Sequence, residues 1–196
     1  MYQPVGESRL EVEIKKSRFI ATCVPVSSDE EIRDALARLK CNDATHNCWA
    51  WRIGDQYRFN DDGEPGGSAG RPMLAAIDGQ EYDCVLAHVV RYFGGIKLGV
   101  GGLVRAYGNT VAECLRTAEK MEIIERRPLI FSVGFGDTYA VYGLITQKKL
   151  IKTSEEFTAD GVVFTLTVEA TAIDEIRQRL NDLTRARIHW LTETES

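Results

Sequence analysis

The run Cys84 to Phe93 (CVLAHVVRYF) constrains the fold more than any other part of the chain. Apolarity sustained over that length predicts a strand buried on both faces, and so a sheet with a layer on each side. The run leads straight into Gly94-Gly95-Ile96-Lys97-Leu98-Gly99-Val100-Gly101-Gly102, which no regular element accommodates. A helix is expected from about Leu103 to Lys120, with Val104, Tyr107, Val111, Cys114 and Leu115 as its buried stripe. Tyr92 and Phe93 are expected in the core, with base stacking as the alternative.

Upstream, residues 9–26 read as strand material, with Val12 and Ile14 alternating with charges before the apolar run Phe19 to Val26. Ser27-Ser28 then opens a helix. Glu30 and Glu31 stand three residues beyond the serines, as a capping box requires, and Ile32, Leu36 and Leu39 form the stripe. His46 to Ile53 reads as a strand, with Tyr57 to Phe59 as a short partner. The segment from Asn60 to Pro72 is rich in turn residues and is expected to be irregular, with a short helix from Met73 to about Asp78.

From about Met121 the texture changes. Strand (Leu129 to Phe135), helix (Thr138 to Leu150), strand (Ile151 to Phe157), turn at Asp160-Gly161, strand (Val162 to Glu169), helix (Ala172 to Leu183) and strand (Arg187 to Thr192) give β-α-β-β-α-β, the ferredoxin-like order. The chain therefore reads as an α+β protein of two domains, residues 1–125 and 126–196, joined near Glu125-Arg126-Arg127-Pro128.

Several classes are excluded by what is missing. There is no run of about 18 apolar residues, so no membrane span is expected. The first residues have no apolar stretch of the signal-peptide kind. Five cysteines (Cys23, Cys41, Cys48, Cys84 and Cys114) form no C-x-x-C pair, so reduced thiols in the cytoplasm are expected rather than disulfides or a zinc ribbon. The formal net charge of −5 is not that of a general nucleic-acid coat.

Locally the charge differs. No acid occurs between Cys84 and Ala112, while Arg91, Lys97 and Arg105 do; Lys15, Lys16, Arg18 and Arg71 can extend this into a patch able to hold RNA phosphates. The Gly94–Gly102 loop enters a helix, so its backbone amides can cradle an anion. It is neither a P-loop, which needs Gly-Lys-Ser/Thr, nor a dinucleotide fingerprint, which would need glycine where Val104 stands.

Asp61, Asp62 and Glu64 crowd a second glycine-rich loop that holds Gly63, Pro65, Gly66, Gly67 and Gly70. Their spacing does not match a calcium loop. Carboxylates capping backbone amides in a surface turn are expected, so alanine replacements there should cost no more than about 1–2 kcal/mol. His46 and Cys48 share a strand face, but a catalytic pair would need an orienting partner. Buried or capping roles are expected for His46, His88 and His189. No hydrolase elbow or zinc-protease motif is present, and no metal or cofactor is expected.

These segments, in this order, resemble the IMPACT/YigZ family. The matching stretches are Lys15-Lys16-Ser17-Arg18-Phe19-Ile20; His46, Cys48 and Ala50-Trp51; Asp61-Asp62-Gly63-Glu64-Pro65, Gly67, Ala69-Gly70 and Pro72-Met73-Leu74. The longest is Val89-Val90-Arg91-Tyr92-Phe93-Gly94-Gly95 through Lys97-Leu98-Gly99 and Gly101-Gly102-Leu103-Val104-Arg105-Ala106-Tyr107-Gly108. The resemblance implies a first domain with the ribosomal-protein-like α+β fold shared with elongation factor G. It implies a second domain like that factor's ferredoxin-like last domain. The family's eukaryotic members regulate translation by competing for the activator of an amino-acid-starvation kinase, through an extra N-terminal domain that this sequence does not show.

Resemblance and charge pattern together imply a non-enzymatic regulator associated with translation, binding RNA, the ribosome or a translation-linked protein. Two alternatives stay open: an enzyme or nucleotide-phosphate binder using the Gly94–Gly102 loop or a metal at Asp61, Asp62 and Glu64, and a protein–protein adaptor that uses the same loops without nucleic acid.

Overall fold

The computed structural model describes residues 1–191, so Thr192 of the expected last strand lies outside the described residues. The chain divides into two units, Met1–Ile123 and Ile124–Ser196.

The first unit runs β1 (Tyr2–Pro4), β2 (Ser8–Ile14), β3 (Ser17–Pro25), α1 (Asp29–Leu39), β4 (His46–Ile53), β5 (Gln56–Asn60), α2 (Gly70–Gly79), β6 (Val85–Tyr92), α3 (Val100–Thr117) and β7 (Lys120–Glu122). Its main sheet has the order β2-β3-β6-β4-β5 with every neighbour antiparallel. The apolar run forms β6, the central strand. Val85, Ala87 and Val89 face α2 and α3 with Met73, Ile77, Tyr107 and Leu115, while Leu86 faces α1 with Ile32 and Trp51. β1 and β7 pair separately as a two-stranded ribbon.

Four details depart from the sequence expectations. Residues 9–26, read as strand material, are two strands of a hairpin whose turn the sequence did not mark. The hairpin turns at Lys15-Lys16, both left-handed (φ 48 and 63), a geometry that usually selects Asn or Gly. Helix α2 begins three residues early, because Pro72 falls in the first turn, where no amide donor is needed. Helix α3 also begins three residues early, and its phase buries Leu103 while leaving Val104 on the surface. Phe93 lies beyond the end of β6 and is 46% exposed rather than part of the core.

The second unit runs β8 (Arg126–Gly134), α4 (Thr138–Lys148), β9 (Ile151–Phe157), β10 (Gly161–Glu169), α5 (Ile173–Leu183) and β11 (His189–Leu191). The sheet order is β11-β8-β10-β9, all antiparallel. Leu129, Phe131, Val133, Phe164 and Leu166 pack on Val141, Leu144, Ile176 and Leu180 of the helices. This is the ferredoxin-like arrangement that the element order predicts. His189 is exposed, neither buried nor capping. Among the described residues, no helix is long and apolar enough to cross a membrane.

Candidate nucleic-acid interface

The acidic loop folds around its own carboxylates. Asp61 accepts from the backbone amides of Gly67 (2.8 Å), Ala69 (3.0 Å) and Gly70 (2.8 Å), so it ties the loop and closes the uncapped start of α2. Asp62 accepts from the Asn47 amide at 2.6 Å, and the Asp62 carbonyl accepts from His46 Nδ1 at 2.8 Å. Capping of backbone amides, one of the uses expected of this loop, is what Asp61 and Asp62 do.

Glu64 corrects the expectation of a surface turn. Its side chain is only 3% exposed. Oε1 accepts from Arg91 Nη1 at 2.6 Å and from the Tyr107 hydroxyl at 2.7 Å, and His46 Nε2 stands 3.8 Å away. The ring of Phe19 lies under the Arg91 guanidinium at 5.4 Å. A charge so placed is stable only with its counter-charge beside it. Glu64 therefore locks the acidic loop to β6 and α3 from inside. Arg91, expected among the phosphate-binding groups, is buried and committed to that pair, and this takes it out of the surface patch.

Cys48 sits at the same node, 3.0 Å from the Asp61 carbonyl and 3.4 Å from the Tyr107 hydroxyl. Burial pushes its thiol up to about 12, so it stays protonated near neutrality, opposite to what a nucleophilic cysteine requires. Burial also pushes the Tyr107 phenol well above its ordinary range. Among the described residues, no group of three or more His, Cys, Asp or Glu side chains is placed to hold a metal ion.

Lys15, Lys16, Lys97 and Arg105 are exposed on the surface. Gly94 packs on the β2–β3 turn so closely that a Cβ there would overlap the Lys16 carbonyl. Ser17 fastens the contact: its hydroxyl accepts from the Gly94 amide at 3.1 Å and lies 3.4 Å from Arg91 Nη2. The turn thereby carries Lys15 and Lys16 to the loop that opens α3. Lys15 and Arg105 line one cavity of about 310 Å³, with Leu98 and Gly102 in its wall.

Helix α3 starts at Val100, preceded by Gly99, whose φ of 74 favours glycine, with no side chain capping its amides and no acid in its first turn. Lys97 stands exposed in the loop before it. Unpaired amides at a helix start attract anions, and here the surrounding side chains are cations. Of the remaining glycines, Gly95 lies in this loop and Gly101 and Gly102 in the first turn of α3. Gly63, Gly66 and Gly67 belong to the acidic loop, and Gly70 opens α2.

Two predicted cations are less available. Arg18 is exposed but bonds Glu11 at 2.8 Å and lies over the Tyr92 ring. Arg71 is exposed on α2 and does not line the Lys15–Arg105 cavity. Sequence reasoning missed the exposed apolar residues Ile96 and Val100, which stand with Phe93 beside Lys97. Their signal was present, in a loop too rich in glycine to bury them.

Residues 15–115 match the model of the Impact N-terminal domain, which spans the node and the basic face together. The chain belongs to the IMPACT family. Residues 133–187 match a second model, described as a domain of unknown function. An IMPACT family member from Thermus thermophilus is 44% identical over 91% of this chain and 98% of its own length. The IMPACT family member YigZ of Escherichia coli is 46% identical, over 53% of this chain and 54% of its own. The crystal structure of a hypothetical protein covers all of this IMPACT chain and 98% of its own, with a TM-score of 0.66 at 31% identity.

Proposed function

We propose that this IMPACT family protein is a non-catalytic regulator associated with translation, which binds RNA on the face formed by Lys15, Lys16, Lys97 and Arg105. One observation carries the reading: the β2–β3 turn is packed onto the Gly94 loop, which brings Lys15 beside Arg105 at the uncapped, acid-free first turn of α3. Phosphates would meet side-chain charge and backbone amides together. Phe93, exposed at the edge of this face, is positioned to stack on a base, a contact worth about 1–3 kcal/mol.

The buried thiol and the carboxylates already engaged in capping and in the ion pair argue against a catalytic use of the His46–Glu64 node. A protein partner is the second reading, favoured by the exposed apolar group Phe93, Ile96 and Val100. Co-sedimentation with ribosomes and RNA from cytosol, with and without nuclease, tests the choice. Association that nuclease abolishes and Lys97→Glu weakens at least several-fold supports RNA. Association that survives nuclease, or is unchanged in a folded Lys97→Glu variant, supports a protein partner.

A further inference from the structure

On the α1 side of the main sheet lies a second concavity, separate from the basic face. His88, Trp49 and Asn60 are successive cross-strand partners on β6, β4 and β5. Helix α1 ends at Leu39, so this row lies at its end, flanked by Leu36 and Lys40. Together with Asp62 and Asn47 these residues line a cavity of about 180 Å³.

Its polar groups are unevenly satisfied. Asn47 is occupied, bonded to both the amide and the carbonyl of Cys41. His88 is only 2% exposed, and the little surface it keeps opens onto this cavity, so its ring nitrogens are reached through the pocket. Burial also pushes the imidazole down to about 4, so at neutral pH it is uncharged and offers one donor and one acceptor. Asp62 spends one oxygen on the Asn47 amide, and Asn60 uses its carbonyl oxygen on the Asp62 amide. One carboxylate oxygen and one amide NH₂ face no partner among the described residues.

The pocket thus presents a neutral imidazole, a carboxylate oxygen, an amide donor and an indole wall. A free anion is opposed by Asp62. An aliphatic chain would leave every polar group unsatisfied. A flat heterocycle carrying both donors and acceptors satisfies them, with its face along Trp49.

We infer that the pocket formed by His88, Trp49, Asn60 and Asp62 binds a single unpaired nucleobase, an inference that rests on reading the chain as an RNA binder. Single-stranded RNA is commonly read this way, one splayed base stacked on an aromatic ring and hydrogen-bonded at its edge. Lys40, exposed at the rim, is placed to meet a phosphate attached to that base.

The test uses the full chain and adenosine, guanosine, cytidine and uridine, which lack phosphate and so do not probe the basic face. The His88 imidazole and Trp49 indole signals are followed by NMR during titration. One nucleoside is expected to saturate and to shift both, with an affinity nearly independent of salt. His88→Phe should weaken it at least tenfold and Asn60→Ala several-fold, with a melting curve for each variant to separate loss of the pocket from loss of the fold. A short unstructured RNA shifting the same signals identifies an RNA base as the source; shifts with free nucleosides alone identify a mononucleotide and leave the nucleobase assignment standing. No saturation by any of the four, binding unchanged in both variants, or a response to zinc alone overturns the inference. Because RNA binding at Lys97 and Arg105 is read separately by its salt dependence, failure here and failure of the RNA reading are distinguishable.

Discussion

Replacing Glu64 with glutamine should destabilise the first unit far more than its place in a turn-rich acidic loop suggests. The substitution keeps shape and an acceptor but removes the charge. Arg91, whose side chain is 5% exposed, then stays buried without its counter-ion, and its Nε already has no partner. Leaving one member of a buried pair uncompensated costs about 3–5 kcal/mol. That is a large share of the roughly 5–15 kcal/mol that holds a domain folded. With a urea slope of about 1–3 kcal/mol/M, the midpoint should fall by about 1 M or more. The assay is urea unfolding followed by tryptophan fluorescence, since Trp49 and Trp51 report on the first unit and Trp190 on the second. Glu64→Leu combined with Arg91→Met should recover most of the loss, because the cost lies in the orphaned charge. A loss below about 1 kcal/mol, or one that disappears in high salt as an exposed pair's would, refutes the buried-pair reasoning.

Asp61→Ala should cost about 2–3 kcal/mol, more than the roughly 1–2 kcal/mol expected of a surface turn, because three backbone amides lose their charged acceptor; thermal unfolding checks it, and a change below about 1 kcal/mol contradicts it. The depressed His88 imidazole gives a pH dependence whose sign follows from proton uptake by the unfolded chain. Stability of the first unit should be full above about pH 6.5 and decline as pH falls toward 4, by up to about 3 kcal/mol. His88→Phe should flatten that decline, and an unchanged profile refutes the assignment. All five cysteines should titrate as free thiols in the unfolded protein, as they stand in the structure; a native bridge would contradict it.

Much of the fold is legible because burial leaves a strong mark on sequence. Strand β6 is covered on both faces and reads as an apolar run, whereas β9, almost wholly exposed, is delimited by the helix end before it and the hairpin turn after it. The hairpin at Lys15-Lys16 is not legible, since lysines in left-handed conformations carry no turn signal. Nor is the start of α2, where Gly70 and Pro72 break a helix in most positions but not in its first turn.

The site divides the same way. Lys97 and Arg105 are recognisable from an acid-free stretch, and their meeting with Lys15 follows from a contact that only the folded chain makes. Glu64 and Arg91 look like surface charges because nothing local reports that each is the other's buried counter-ion. The cavity around His88 joins strands, a helix end and a loop through cross-strand register, which a single sequence does not reveal.

The RNA-binding claim is tested most directly by the slope of log Kobs against log salt for a short single-stranded RNA. Each neutralised phosphate contributes about −0.7 to that slope. Wild type should show a slope of roughly −2 to −3, for three or four of Lys15, Lys16, Lys97 and Arg105 in contact. Lys97→Glu should weaken binding and flatten the slope by at least about one contact, with an unchanged melting temperature. Binding that ignores salt, or a folded Lys97→Glu protein with the wild-type slope, would contradict the RNA reading.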